Sequence, residues 1–121
     1  MFRKNLMRFL VSLVLFTSAA AAFAFSNDVT LSDLPKQAQN TYALIQQGGP
    51  FPYEKDGVVF GNYERQLPQQ KRGYYHEYTV KTPATKNRGA IRIVCGGLKN
   101  KPAEACYYTD DHYATFKKIA P

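Results

Sequence analysis

Residues 73–80, GYYHEYTV, decide the fold. The run is rich in aromatic and β-branched residues and alternates as a strand does, with Tyr75, Glu77 and Thr79 on one face and Tyr74, His76, Tyr78 and Val80 on the other. Three more stretches downstream have the same character: AIRIVC (90–95), CYYT (106–109) and HYATFKKI (112–119). The turn-forming PATKNRG (83–89) separates the first two. Upstream the period changes. Leu34, Ala38, Thr41 or Tyr42, and Leu44/Ile45 recur at helical spacing, which predicts a helix that starts near Ser32 or Asp33, with Pro35 in its first turn. Gly48-Gly49-Pro50 ends it. Residues 25–31 read as a loose lead-in, and FPYEKDGVVFGNYERQLPQQKRG (51–73) as loop with a short strand at Val58–Phe60. A helical part followed by an antiparallel sheet makes an α+β domain.

The chain has 121 residues, but the first two dozen read as a leader rather than as fold. Arg3, Lys4 and Arg8 form a positive start, Phe9 to Phe16 is almost wholly apolar, and Ala22-Phe23-Ala24 fits the small-x-small pattern of a cleavage site. The apolar stretch is short for a membrane span and gives way to small residues. The expectation is a signal peptide over 1–24, a single domain over 25–121, a secreted protein (extracellular or periplasmic), and no membrane association once the leader is removed. Thirteen of the sixteen Lys and Arg fall after residue 24 against all nine acids, a net charge of +4 for that part. A modest basic excess suits a polyanionic partner and equally an ordinary soluble surface.

Cys95 and Cys106, the two cysteines, flank a turn-like GGLKNKP segment. Two thiols without nearby histidines are too few for zinc, so a disulfide is expected, on adjacent strands with Cα atoms about 4.4–6.8 Å apart. No metal site is expected.

Pairing about the PATKNRG turn places Glu77 opposite Arg92, with Arg88 nearer the turn. Two guanidinium groups beside one carboxylate would keep it ionised and attract a phosphate, although a cross-strand surface ion pair looks the same in sequence. Of the two histidines, His112 follows a turn at the head of a strand, whereas His76 faces away from Glu77 and reads as a packing or surface residue. A Glu base and a His acid on neighbouring strands, with arginines between, are the minimum for RNA transesterification.

Four segments, GPFPYEKDGVVFGNYERQLP, GYYHEYTVKTP, RGAIRIVCGG and YYTDDHYATF, together resemble the guanyl-preferring microbial ribonucleases, the barnase family, and its actinobacterial-type members above all. The resemblance spans residues 32–119 in order. It implies a short helical part packed on a twisted antiparallel sheet and a guanyl-specific, metal-independent endoribonuclease without a cofactor. Such an enzyme acts on single-stranded RNA, giving first a 2′,3′-cyclic phosphate and then a 3′-phosphate. By the same resemblance Glu77 is the general base, His112 the general acid, Arg88 and Arg92 bind the phosphate, and Tyr113 contacts it. FGNYE (60–64) corresponds to the guanine-reading loop, including Phe60. There the Glu64 carboxylate would accept the base's N1–H and amino hydrogens, and Asn62 with backbone amides would address O6 and N7. Two positions depart from the actinobacterial pattern. Gly61 replaces a polar residue, and Tyr63 replaces arginine and is similar to the fungal branch, where it stacks on guanine. The cysteine pair is also atypical. The family further implies a barstar-like inhibitor protein as a partner, and the enzyme is expected to be a monomer.

Two other classes compete. A non-catalytic secreted RNA-binding module would use the nine tyrosines for base stacking but gives no reason for an acid at position 77. A membrane-active cationic protein needs a basic amphipathic helix, and residues 34–47 carry only Lys36.

Overall fold

A computed structural model describes residues 28–98 and 102–121. The expected leader, residues 1–24, and the start of the lead-in, residues 25–27, lie outside the described residues. The elements are β1 (Val29–Thr30), a 3-10 turn (Leu31–Asp33), α1 (Lys36–Gln47), β2 (Val58–Val59), β3 (Tyr75–Thr79), β4 (Arg92–Gly96), β5 (Ala105–Thr109) and β6 (Lys117–Ala120). The six strands form one sheet in the order β1-β6-β5-β4-β3-β2. All pairs are antiparallel except β1 with β6, which is parallel. The α+β class expected from the sequence is the one found. The lead-in is not loose throughout, because Val29 pairs with Ile119 and Thr30 with Ala120.

The helix begins later than its apolar spacing suggests, and neither Ser32 nor Asp33 caps it. A residue before proline is pushed out of the helical region. Leu34 accordingly is extended (ψ 157°), as is Pro35 (φ −56°, ψ 151°), and α1 starts at Lys36. The Pro35 carbonyl accepts the first helical bonds, from Ala38 N–H at 2.9 Å and Gln39 N–H at 3.1 Å. At the other end Gly48 is left-handed (φ 89°) and its N–H reaches Leu44 O at 2.9 Å, the stop its sequence announces.

Alternation along β3 separates two cores. On one face Tyr78, Ile93, Cys95, Cys106, Tyr108 and Ile119 pack with Leu34, Ala38 and Ile45 of the helical part. On the other, Tyr75, Val94 and Tyr107 pack with Leu67 and Phe116 from the loops. Cys95 and Cys106 are directly opposite on β4 and β5 and form a disulfide, as expected. Their Cα separation of 4.1 Å is shorter than the expected range. It lies near the narrower of the two antiparallel pair types, about 4.5 Å.

Register corrects one expectation. Arg92 is opposite Thr79, and Glu77 is opposite Val94. The two-residue slip leaves Glu77 and Arg92 on the same face, since strand side chains repeat every second residue. The connection is no tight turn. Ala84 and Gly89 have positive φ (67° and 69°), and Arg88 lies in the loop rather than on β4.

Candidate active site

The loop-covered face of the sheet carries a cleft of about 580 Å³, lined by residues 59–64 and Gln66, by Arg72 and Glu77, and by residues 112–114 and Phe116. Three backbone arrangements build it.

The first is the loop that follows β2, the base loop, which the resemblance aligns with a guanine-reading loop. Asn62 has φ 53°, and its side-chain amide grips Leu67 at both ends, donating Nδ2 to Leu67 O (3.0 Å) and accepting Leu67 N–H on Oδ1 (3.1 Å). Leu67 is buried in the loop-side core and holds the clamp in place. The Asn62 side chain is therefore occupied within the loop, and what this residue can offer a ligand is backbone. Glu64 and Tyr63 are exposed, Tyr63 at 80%. The Tyr63 ring lies over Gly61 so closely that a Cβ there would collide with it.

The second arrangement carries His112 and Tyr113. The expected strand over 112–119 starts only at Lys117, and His112 is not at its head. Asp111 takes the intervening chain out of the ladder. Its Oδ1 accepts from Thr109 Oγ1 (2.8 Å) and Thr115 N–H (2.9 Å), and its Oδ2 accepts from Thr115 Oγ1 (2.6 Å). Tyr113 N–H in turn donates to Thr109 Oγ1 at 3.1 Å. Local side-chain bonds of this kind compete with strand pairing. They hold His112 and Tyr113 left-handed (φ 56° and 74°), with His112 exposed and Tyr113 half-buried. The Thr115 bonds, with Thr109 adding to them, hold the Asp111 carboxyl down at about 2. His112 thus comes from a loop and not from a strand neighbouring β3.

Tyr113 reaches across the cleft and donates its hydroxyl to Glu77 Oε1. Burial first, and then the Glu77 carboxylate, push the phenol up to about 12, while Arg92 pulls it the other way. Tyr113 therefore remains a protonated donor at neutral pH. Its ring stacks on Phe60 (5.4 Å between centroids) and lies beside His112 (4.7 Å). Gln66 Nε2 donates to Tyr113 O at 2.9 Å, joining the base loop to this second loop.

The third arrangement holds Arg88 and Arg92, neither of which is among the residues that line the cleft. Arg88 donates Nε and Nη2 to Thr79 Oγ1 (2.9 and 2.7 Å). Thr79 is fixed by its backbone, with its N–H on Asp56 Oδ1 (2.8 Å) and its carbonyl accepting Thr41 Oγ1 (3.3 Å). Arg92 is buried, with Nη1 on Gly89 O (3.0 Å) and Ile91 O (2.9 Å), and its Nε has no partner. Burying an unpaired guanidinium donor is costly, and such a group has reason to await an anion.

Sequence reasoning missed Arg72, Asp56 and Asp111. Asp56 and Asp111 act through hydrogen bonds to Thr79, Thr109 and Thr115 that only the fold creates. Arg72 precedes a glycine in a polar loop and carries no distinguishing pattern. His76 stands apart from the cleft, as expected. Among the described residues there is no group of three or more His, Cys, Asp or Glu able to hold a metal.

A model of the ribonuclease family matches residues 17–120. The chain belongs to the ribonuclease family. Among its relatives, guanyl-specific ribonuclease Sa of Kitasatospora aureofaciens is 53% identical over 94 residues, 78% of this chain and 94% of that one. Guanyl-specific ribonuclease St of Saccharopolyspora erythraea is 52% identical over 89 residues, 74% of this chain and 83% of its own length. Against the longer guanyl-specific ribonuclease Sa3, the match (53% identity) spans 62% of the relative and 75% of this chain. The fold agrees as well. Ribonuclease Sa2, solved in complexes with mononucleotides, superposes with a TM-score of 0.73 at 50% identity, over 78% of this ribonuclease and 94% of that chain. A second Sa2 structure, with guanosine-2′-cyclophosphate, gives a TM-score of 0.71 at 50% identity over 78% and 96% of the two chains.

Proposed function

We propose that this ribonuclease is a guanyl-specific endoribonuclease that cuts single-stranded RNA on the 3′ side of guanosine. Glu77 takes the proton of the guanosine 2′-hydroxyl as that oxygen attacks the phosphorus. The bond from phosphorus to the 5′-oxygen breaks, and His112 protonates the departing oxygen. The product is a 2′,3′-cyclic phosphate. With the roles of Glu77 and His112 reversed, water opens it to a 3′-phosphate. Arg88 and Arg92 stabilise the charge that builds on the phosphate, and Tyr113 adds a neutral donor. Glu64 accepts the two adjacent donors on the guanine edge, beside Phe60 and Tyr63, and the Asn62 clamp presents the loop's backbone amides.

The observation that carries this reading is the Tyr113–Glu77 hydrogen bond inside the cleft that His112 and the Phe60–Glu64 loop also line. The guanyl specificity of ribonucleases Sa and St, and the binding of guanosine-2′-cyclophosphate by Sa2, support it. The same reading makes the protein an exported monomer whose leader, residues 1–24, is removed, with a barstar-like protein as its inhibitor. The basic start and apolar run of the leader favour export.

The experiment is turnover of a guanosine-containing dinucleotide. The pH–rate profile should be bell-shaped and insensitive to EDTA. Glu77→Ala should lose about 10²-fold or more, and His112→Ala at least as much. Near-native turnover in Glu77→Ala would reject the assigned base. Binding of RNA without cleavage by the wild type would favour a non-catalytic RNA-binding module instead.

A further inference from the structure

Beyond the cleft, at the Gly73 end of β3, lies a second cavity of about 660 Å³, walled by Lys71, Arg72, Tyr74, His76, Leu98 and Glu104 among others. We propose that this groove holds a backbone phosphate and nucleoside of the same RNA strand beyond the two nucleosides that flank the scissile bond. The proposal rests on the ribonuclease reading above and adds a subsite to it.

Three observations carry it. Arg72 lines both cavities, so the cleft and the groove meet at one cation. A strand leaving the cleft in that direction passes this guanidinium. Next, Lys71 and Arg72 are exposed, and neither side chain has a hydrogen bond or ion pair among the described residues. Both charges are available to phosphate, the dominant source of affinity for nucleic acid. The third observation is the wall. The Tyr74 ring meets Tyr75 edge-on (4.9 Å) and lies across Gly96, where any Cβ would strike it. An aromatic ring fixed on two sides suits a sugar or base. His76, which faces away from Glu77, also lines this groove, and its Nδ1 is buried without a partner.

Glu104 is the one acid among the groove's lining residues and works against a phosphate. The Tyr74 hydroxyl donates to its Oε1 at 2.6 Å, occupying that oxygen and fixing the ring's polar end. Two free cations against one engaged carboxylate leave the groove basic.

The test compares a guanosine-containing dinucleotide with hexanucleotides that carry one guanosine and are extended on its 5′ or its 3′ side. Lys71→Glu should leave dinucleotide kcat/KM unchanged and lower that of one hexanucleotide on the order of tenfold, the worth of one charge-assisted contact. In Lys71→Ala the slope of log affinity against log salt for that hexanucleotide should shrink by about 0.7, the share of one phosphate on a single strand. Glu104→Gln should shift hexanucleotide binding the opposite way. Equal effects on dinucleotide and hexanucleotides, or no effect on any of them, would overturn the proposal. Affinity of the same variants for hexanucleotides with 2′-deoxyguanosine at the cleavage position reads the groove without turnover. A failure of the ribonuclease reading is therefore distinguishable from a failure of the subsite.

Discussion

Gln66 and Tyr113 are 47 residues apart in the chain, yet the Gln66 side chain donates to the Tyr113 carbonyl at 2.9 Å and ties the base loop to the loop that carries His112. In the proposed mechanism the bond fixes the distance between the part of the cleft that selects the base and the part that reacts. Gln66→Ala removes the tie and leaves every group assigned a chemical role intact. We expect kcat/KM for a guanosine dinucleotide to fall by about three- to tenfold, the worth of one neutral hydrogen bond. Turnover of guanosine and adenosine dinucleotides should fall together, and steady-state kinetics on the pair checks it.

Tyr113 should leave no mark on the pH–rate profile. Burial and the Glu77 carboxylate push its phenol up to about 12, so it stays protonated across the working range. The alkaline limb of that profile is then not the phenol's. Tyr113→Phe should lower turnover and keep the pH of that limb unchanged. A limb displaced by a full pH unit would assign it to the phenol instead.

Asp111 is a positioning residue whose contribution depends on pH. Its folded-state carboxyl sits at about 2, below the ordinary aspartate value of about 3.9. The stability it confers is therefore complete above pH 4 and lost as the pH falls through 2. Asp111→Asn should lower Tm at pH 7, and the gap to wild type should close between pH 4 and pH 2. Because His112 and Tyr113 depend on the same bonds, kcat should fall more than KM rises. Parallel melting curves and kinetics test both statements.

Base choice and base stacking should separate. Glu64→Gln should erode discrimination between guanosine and adenosine, since an unpaired carboxylate costs about 1–3 kcal/mol or more when the wrong base is seated. Tyr63→Ala should weaken all bases alike, by about 1–3 kcal/mol. Gly61→Ala adds a methyl where the Tyr63 ring now lies and should displace the ring, reproducing part of the Tyr63→Ala defect. Competition binding with mononucleotides decides. Selectivity unchanged in Glu64→Gln would refute the readout.

The disulfide closes a loop of about 12 residues and should contribute roughly 3 kcal/mol in the chain-entropy model. Cys95→Ala with Cys106→Ala should lower the denaturant midpoint accordingly while turnover at 25 °C persists. Both cysteines are buried on the face away from the cleft.

How far the sequence led depended on the range of the forces involved. Alternation in GYYHEYTV is local, so the two faces of β3 and the side that Glu77 shares with Arg92 were legible. Register depends on how the 80–91 connection is folded, and the Arg88–Thr79 bonds and positive-φ residues within it have no simple sequence signature, so the pairing was displaced by two residues. HYATF alternates like a strand. It failed as one because Asp111 offers Thr109 and Thr115 better partners than the ladder does. Asn62 was assigned to the base by resemblance, and its amide proved to be engaged by Leu67, a contact that exists only once the loop closes. The start of α1 was legible in principle, since Pro35 forbids helix at Leu34, and the apolar spacing concealed it.

The pairing of Val29 with Ile119 has a consequence for synthesis. The two strands that complete one edge of the sheet come from opposite ends of the described chain, and His112 and Tyr113 are also near its end. During translation Val29 cannot meet Ile119 until residues 29–119 have left the ribosome, and such distant pairings form late. A nascent chain therefore carries Glu77 and the base loop for some time without His112, which lines the same cleft. Under the proposed mechanism, a chain that has not yet released residues 112–119 lacks the acid and is inactive.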